Sequence, residues 1–284
     1  MRLVGVGVLA GMAARQGVPL LGELTAWDGQ WYLGIAERGY DGVGEASLDA
    51  DGQPYSSAPY GFFPLYPGLV SAVADVPGLS TATAGLIVSS VAGLAGVPAI
   101  MRIAAHVDPR PRVGLLLVVL AAGAPMAITL SMVYTEALWV AVIARTGQTW
   151  QEVEWVGWHF RWDFGAEALE WITRGLLDDS PVMVTVGVCV VLGAMSLAAL
   201  GAVRRLPWPL VAYGAGIVVL MLGSSGIPHA KPRFILVGAF VLLIPVAVGL
   251  ARRRTSTQLA ALTLFVLGCA WYSAHALAVW RYAI

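Results

Sequence analysis

Six stretches of the chain are apolar over roughly the 20 residues that a helix needs to cross about 30 Å of hydrocarbon. They cover 80–105, 113–135, 181–203, 208–225, 234–251 and 257–280. A seventh, 3–24, is interrupted by Arg15 and Gln16 and reads as a shortened first helix. A signal peptide is the competing reading of that stretch, but the polar segment after it lacks a clean small-x-small cleavage site. The polar positions gather in short loops and in two long segments, 25–68 and 146–180. This pattern predicts an all-α polytopic membrane protein of about seven transmembrane helices. It forms a single integral-membrane domain over 1–284, with two long loops carrying amphipathic or interfacial helices.

Composition sharpens the picture. The chain has 284 residues, 58% hydrophobic and 12% charged, with a mean hydropathy of +0.75. Soluble domains carry about 25% charged residues, so the surface is not built for water. The formal net charge is zero, which leaves no basic face for nucleic acid. Cys189 and Cys269 sit inside apolar runs and read as small core residues rather than a disulfide framework. Neither CxxC nor HExxH occurs, so no metal is expected.

Charge also predicts orientation. Basic residues cluster at Arg102, Arg110 and Arg112, at Arg204 and Arg205, and at Arg252, Arg253 and Arg254, in alternate short loops. Cytoplasmic loops carry this bias. The acidic residues crowd into 23–51 and 152–179, which alternation then puts outside. Seven spans with the N-terminus inside and the C-terminus outside fit every cluster.

Four segments carry candidate chemistry. The first is Trp27-Asp28-Gly29-Gln30-Trp31-Tyr32, predicted to open a helix from 28 to about 38 that Gly39 stops. On that helix Asp28, Tyr32, Ile35 and Gly39 share a face. Asp28, within reach of Arg38, reads either as a general base or as an N-cap. The second, Tyr60-Gly61-Phe62-Phe63-Pro64-Leu65-Tyr66-Pro67, is a rigid aromatic turn that reads as an interface anchor. The third places Glu136 at the outer end of a span, as a functional carboxylate or a helix–helix hydrogen-bonding residue. The fourth, Pro228-His229-Ala230-Lys231-Pro232-Arg233, sets three potential cations in an outer loop, and Lys231 is the only lysine of the chain. They suit either a bound phosphate or ordinary anchoring to lipid headgroups. In the second long loop Trp155, Trp158 and Trp162 recur at i, i+3 and i+7, the stripe of one helical face. That stripe reads as an interfacial belt or as a lid over a lipid-linked substrate.

Taken together, Trp27-Asp28-x-x-Trp31-Tyr32-x-x-Ile35-Ala36-x-x-Gly39-Tyr40, Phe62-Phe63-Pro64-Leu65-Tyr66-Pro67, Tyr134-Thr135-Glu136-Ala137-Leu138 and His229-Ala230-Lys231-Pro232-Arg233-Phe234 resemble the PIG-V-type mannosyltransferases. The order of the motifs is that of the family, and 16 Arg against one Lys gives the chain an actinobacterial look. The resemblance implies a GT-C-like, inverting glycosyltransferase of the bacterial plasma membrane with an extracytoplasmic active site. Its donor would be polyprenyl-phosphate-mannose, its acceptor a glycolipid or glycan, its surroundings membrane lipids, and no cofactor is implied. By the same resemblance Asp28 is the base. His229, Lys231 and Arg233 hold the donor phosphate, and Trp31, Tyr32, Arg38 and Glu136 position acceptor or sugar. The chain departs from the family after Glu136, where 113–145 is too short for the further helical hairpin that longer members carry. Two other readings follow: a shortened, catalytically impaired relative acting as a membrane scaffold, and a lipid or solute transporter. A transporter predicts inverted repeats, and no repeat relates the two halves of this sequence.

Overall fold

Flat apolar runs without alternation favour helix over strand, and helix is what forms. The computed structural model describes residues 1–49, 51–133, 150–226 and 228–280. Apart from two isolated bridges, Leu48 with Pro54 and Trp162 with Ser224, the described residues form no strand. In chain order the helices are α1 (Arg2–Gln16), α2 (Leu20–Leu24), α3 (Asp28–Gly44), α4 (Leu65–Ala74), α5 (Thr81–Ala105) and α6 (Pro111–Ala122). They continue with α7 (Trp150–Trp158), α8 (Ala166–Leu177), α9 (Val182–Val203), α10 (Trp208–Leu222), α11 (Lys231–Ala239), α12 (Ile244–Ala251) and α13 (Thr255–His275).

Among the described residues, three helices are long and apolar enough to cross a membrane: α5, α9 and the continuous helix Thr255–Trp280. This is the signature of an integral membrane protein. Only 17% and 28% of the most apolar windows of α5 and α9 are buried. Leu94, Val91, Val182 and Val203 therefore stand on the outside, where water would penalise them and hydrocarbon would not.

Of the remaining expected spans, 208–225 is the single shorter helix α10, and the other three are segmented for identifiable reasons. The 3–24 stretch breaks where Gly17 takes a left-handed conformation (φ 68°) and Pro19 follows. The 113–135 stretch stays helical only to Ala122. Beyond it Pro125 lacks a donor, Met126 sits at φ 63°, and the chain continues as a 3-10 turn over Ala127–Ser131. The 234–251 stretch is α11 and α12 joined by the 3-10 turn Phe240–Leu243, with Pro245 at the start of α12.

Burial is concentrated in packed seams. Along α1 and the end of α13, Leu9, Met126, Met132 and Leu277 close one core, and Val188, Val191, Val218 and Leu242 close a second. A smaller one, Tyr32, Tyr66, Val70, Ala84 and Val133, lies beneath the start of α3. Gly85 of α5 lies so near Val133 that a Cβ added there would stand 2.9 Å from the Val133 side chain. Val133 thus fits between α3 and α5, against the first turn of α3.

Candidate functional site

Asp28 is the first residue of α3, not its cap; the capping position is Trp27, whose φ of 58° and ψ of −122° are strained for a bulky residue. Two contacts fix this corner. Val133 donates its amide N–H to the Leu24 carbonyl (3.3 Å), and Gly29 backs onto Val133. The helix runs regularly to Arg38 and breaks at Gly39 (φ 71°, ψ 175°), where a short second helical piece begins. Tyr32 and Ile35, one and two turns on, are buried, so the face they share with Asp28 points into the protein. Asp28 itself is 30% exposed.

Arg233 comes to Asp28 from the other end of the chain. Its side chain is 8% exposed, its Nη2 lies 2.9 Å from Asp28 Oδ2, and its guanidinium sits 4.2 Å over the ring of Phe234. A buried guanidinium is costly without an anion beside it. The carboxylate in turn sits at a helix N-terminus, where negative charge is stabilised.

Lys231 lies two residues away and is turned elsewhere. Its Nζ donates to the carbonyls of Met221 (2.9 Å) and Ser224 (2.5 Å), at the C-terminal end of α10. A cation is well placed there, because the last carbonyls of a helix lack helical partners. Burial pushes the Lys231 ammonium below its ordinary value, against the opposing pull of Glu167 and Asp163. Those two carboxylates also bind backbone: Asp163 accepts from the amides of Gly165 (2.8 Å) and Glu167 (2.9 Å), and Glu167 accepts from Gly226 (2.9 Å). Ser225 Oγ donates to the His159 carbonyl (2.8 Å) and accepts from the Arg161 amide (3.1 Å). Residues 159–167 are thereby buttoned onto the loop that leads to Lys231 and Arg233.

An aromatic shelf extends from α3. Trp31 stacks on Phe62 (5.3 Å, 15°), and Trp158 meets both edge-on at 6.0 and 5.4 Å. Tyr32 meets Phe62 and Tyr66 edge-on (5.3 and 5.1 Å). The Tyr66 hydroxyl donates to the Gly85 carbonyl (2.9 Å), and the Tyr40 hydroxyl donates to the Phe62 carbonyl (2.7 Å). Gly61 permits this packing, since a Cβ there would stand 2.7 Å from the Trp158 ring.

The candidates therefore separate. Asp28 and Arg233 are in contact, with Trp31 and Tyr32 on the helix that carries Asp28. Lys231 holds the end of α10. Arg38 is exposed and sits ten positions beyond Asp28, about 15 Å along a helix axis. Glu136 lies outside the described residues, as does the side chain of His229. The three tryptophans of the expected stripe do not share one helical face: α7 ends at Trp158, His159 turns to φ 55°, and Trp162 leaves to bridge Ser224. Sequence reasoning did not pair Trp158 with Trp31 and Phe62, nor Asp163 and Glu167 with Lys231. No local signal links positions so far apart. Among the described residues no three His, Cys, Asp or Glu side chains converge as a metal site requires.

No protein-family profile matches the chain, and searches of curated proteins and of solved structures find no match. Chemically, the site offers a carboxylate that can take a proton, a fork-shaped cation that can hold a phosphate or carboxylate, and aromatic faces beside them.

Proposed function

We propose that the protein is an inverting glycosyltransferase of the bacterial plasma membrane. It moves mannose from polyprenyl-phosphate-mannose to a hydroxyl of a lipid-linked or glycan acceptor on the extracytoplasmic face. The chain crosses the membrane seven times, N-terminus inside, and the segments 25–68 and 146–180 stand outside. The observation that carries this reading is the 2.9 Å contact between Asp28 and Arg233, residues of two separate motifs of the resemblance.

In the reaction, Asp28 accepts the proton of the acceptor hydroxyl as its oxygen forms a bond to the anomeric carbon. The bond from that carbon to the phosphate oxygen breaks, and its electron pair leaves with polyprenyl phosphate. Attack opposite the leaving group inverts the anomeric centre. Arg233 neutralises charge developing on the departing phosphate. Trp31, with Phe62 and Trp158 around it, offers an apolar face to the sugar ring.

The test is mannose transfer in membranes given labelled polyprenyl-phosphate-mannose, wild type beside Asp28→Asn. A carboxylate base contributes about 10²–10⁴-fold, and a loss of that size is expected. Equal transfer by both would remove Asp28 from the chemistry. A wild type that transfers mannose to no acceptor in membranes of an actinobacterial host would overturn the assignment.

A further inference from the structure

We propose that Asp28 occupies, on Arg233, the place of a lipid-borne phosphate, so that the arriving phosphate displaces the carboxylate and thereby frees the base. This inference rests on the reading above and names the regulation of the same site. The two groups that would act on opposite ends of the reaction are in contact with each other, 2.9 Å apart.

Three observations make the carboxylate the mobile partner. Arg233 is 8% exposed and lies against the Phe234 ring at 4.2 Å, so the guanidinium is held by packing as well as by charge. Asp28 is 30% exposed; water can reclaim it, and the N-terminus of α3 stabilises it when it turns away. Finally, an arriving phosphate would compete with the carboxylate for the same guanidinium. Two like charges held side by side on one cation repel each other, so an incoming phosphate loosens the carboxylate's hold. The consequence is order. While Arg233 holds its Oδ2, Asp28 is turned to the guanidinium, and it can face an acceptor hydroxyl only after the phosphate has taken that place. Acceptor hydroxyls and water then meet an idle base in the absence of donor, which protects against futile chemistry at the site.

The experiment measures binding and needs no turnover. The full chain is placed in phosphatidylcholine nanodiscs and titrated with geranylgeranyl monophosphate, and separately with phosphatidic acid. Asp28→Asn should bind the monophosphate roughly tenfold more tightly than the wild type, the scale of a partly exposed ion pair removed from competition. Arg233→Gln should lose that binding, with or without Asp28→Asn. Tightening for geranylgeranyl monophosphate alone assigns the place to the polyprenyl carrier, and equal tightening for phosphatidic acid assigns it to lipid phosphates in general. Binding by Asp28→Asn that equals or falls below the wild type overturns the proposal. Should that variant fail to fold, an infrared difference spectrum of the wild type, with and without the monophosphate, decides. Departure from the guanidinium moves the carboxylate stretch of Asp28, and Asp28→Glu assigns the band by shifting it; a band that stays in place overturns the proposal. The two readings fail separately. Tightened binding without any mannose transfer leaves the displacement and removes the enzyme, whereas lost transfer in Asp28→Asn with unchanged phosphate binding does the reverse.

Discussion

Lys231 shows how the partners of a cation are set by tertiary packing as well as by its place in a loop. Its Nζ satisfies the carbonyls of Met221 and Ser224 and faces Asp163 and Glu167. Lys231→Met keeps the stem but strands the Ser224 carbonyl, leaves the Met221 carbonyl with only the Ser224 hydroxyl (3.3 Å), and removes the cation facing two carboxylates. A loss of about 2–3 kcal/mol is expected, read as a lowered midpoint of thermal unfolding in detergent. Asp163 provides the matching pH signature. Burial alone would raise its carboxyl, but the amides of Glu167 and Gly165 and the charge of Lys231 outweigh that and hold it below its ordinary value. A carboxyl more acidic in the folded than in the unfolded chain adds stability above its unfolded value of about 3.9. That contribution is lost as the pH falls through the folded value. Unfolding midpoints followed from neutral pH to below about 4 should therefore drop in the wild type with a component that Asp163→Asn lacks. At neutral pH the variant should be less stable by under about 1 kcal/mol, because its amide oxygen still accepts from backbone while the negative charge facing Lys231 is lost. Asp28 was visible in the sequence as a carboxylate opening a helix. Its partner was not, because Arg38, the cation nearest in sequence, is carried away along the helix while Arg233 arrives through tertiary packing.

Among the elements, α3 and α7 decide how the shelf is held. The sequence predicted a helix from 28 that Gly39 would stop, and the break at φ 71° falls at that glycine. Its ψ of 175° lies in a region that side-chain-bearing residues avoid. Gly39→Ala should destabilise by about 1–3 kcal/mol and disturb the Tyr40–Phe62 hydrogen bond, visible as altered near-ultraviolet circular dichroism. Gly61→Val acts at the other side of the shelf. A branched side chain 2.7 Å from the Trp158 ring should push α7 away from Trp31 and Phe62. Red-shifted tryptophan emission with little change in helix content would report that displacement; unchanged emission would mean that α7 moves as a unit with the Ala58–Gly61 turn. The tryptophan spacing at 155, 158 and 162 misled because periodicity assumes one unbroken helix. His159 and Phe164 at positive φ break it, and the one nearby glycine, Gly157, lies within the helix rather than at the turn. Apolar length was the more dependable signal, giving α5, α9 and Thr255–Trp280 directly. It was least informative where Pro19, Pro125 and Pro245 segment the remaining runs.

For the whole molecule, the alternation of Arg-rich and acidic loops makes a topological prediction that the fold alone does not contain. After both native cysteines are replaced by alanine, a cysteine at Asp179 should react with a membrane-impermeant maleimide on intact cells, and one at Arg253 only after permeabilisation. The reverse pattern would invert the molecule and place Asp28 and Arg233 on the cytoplasmic side, away from the carrier side assumed above. The pair itself has a consequence for biogenesis. Asp28 falls within the first tenth of the chain and Arg233 beyond four fifths of it, 205 positions later. At a synthesis rate of about 5–20 residues per second, the nascent chain waits on the order of 10–40 s between one and the other. Within that interval Phe62 and then Trp158 become available to join Trp31, while the carboxylate has no Arg233 to meet. A ribosome that stalls before Arg233 thus leaves a membrane-inserted fragment carrying only half of the site.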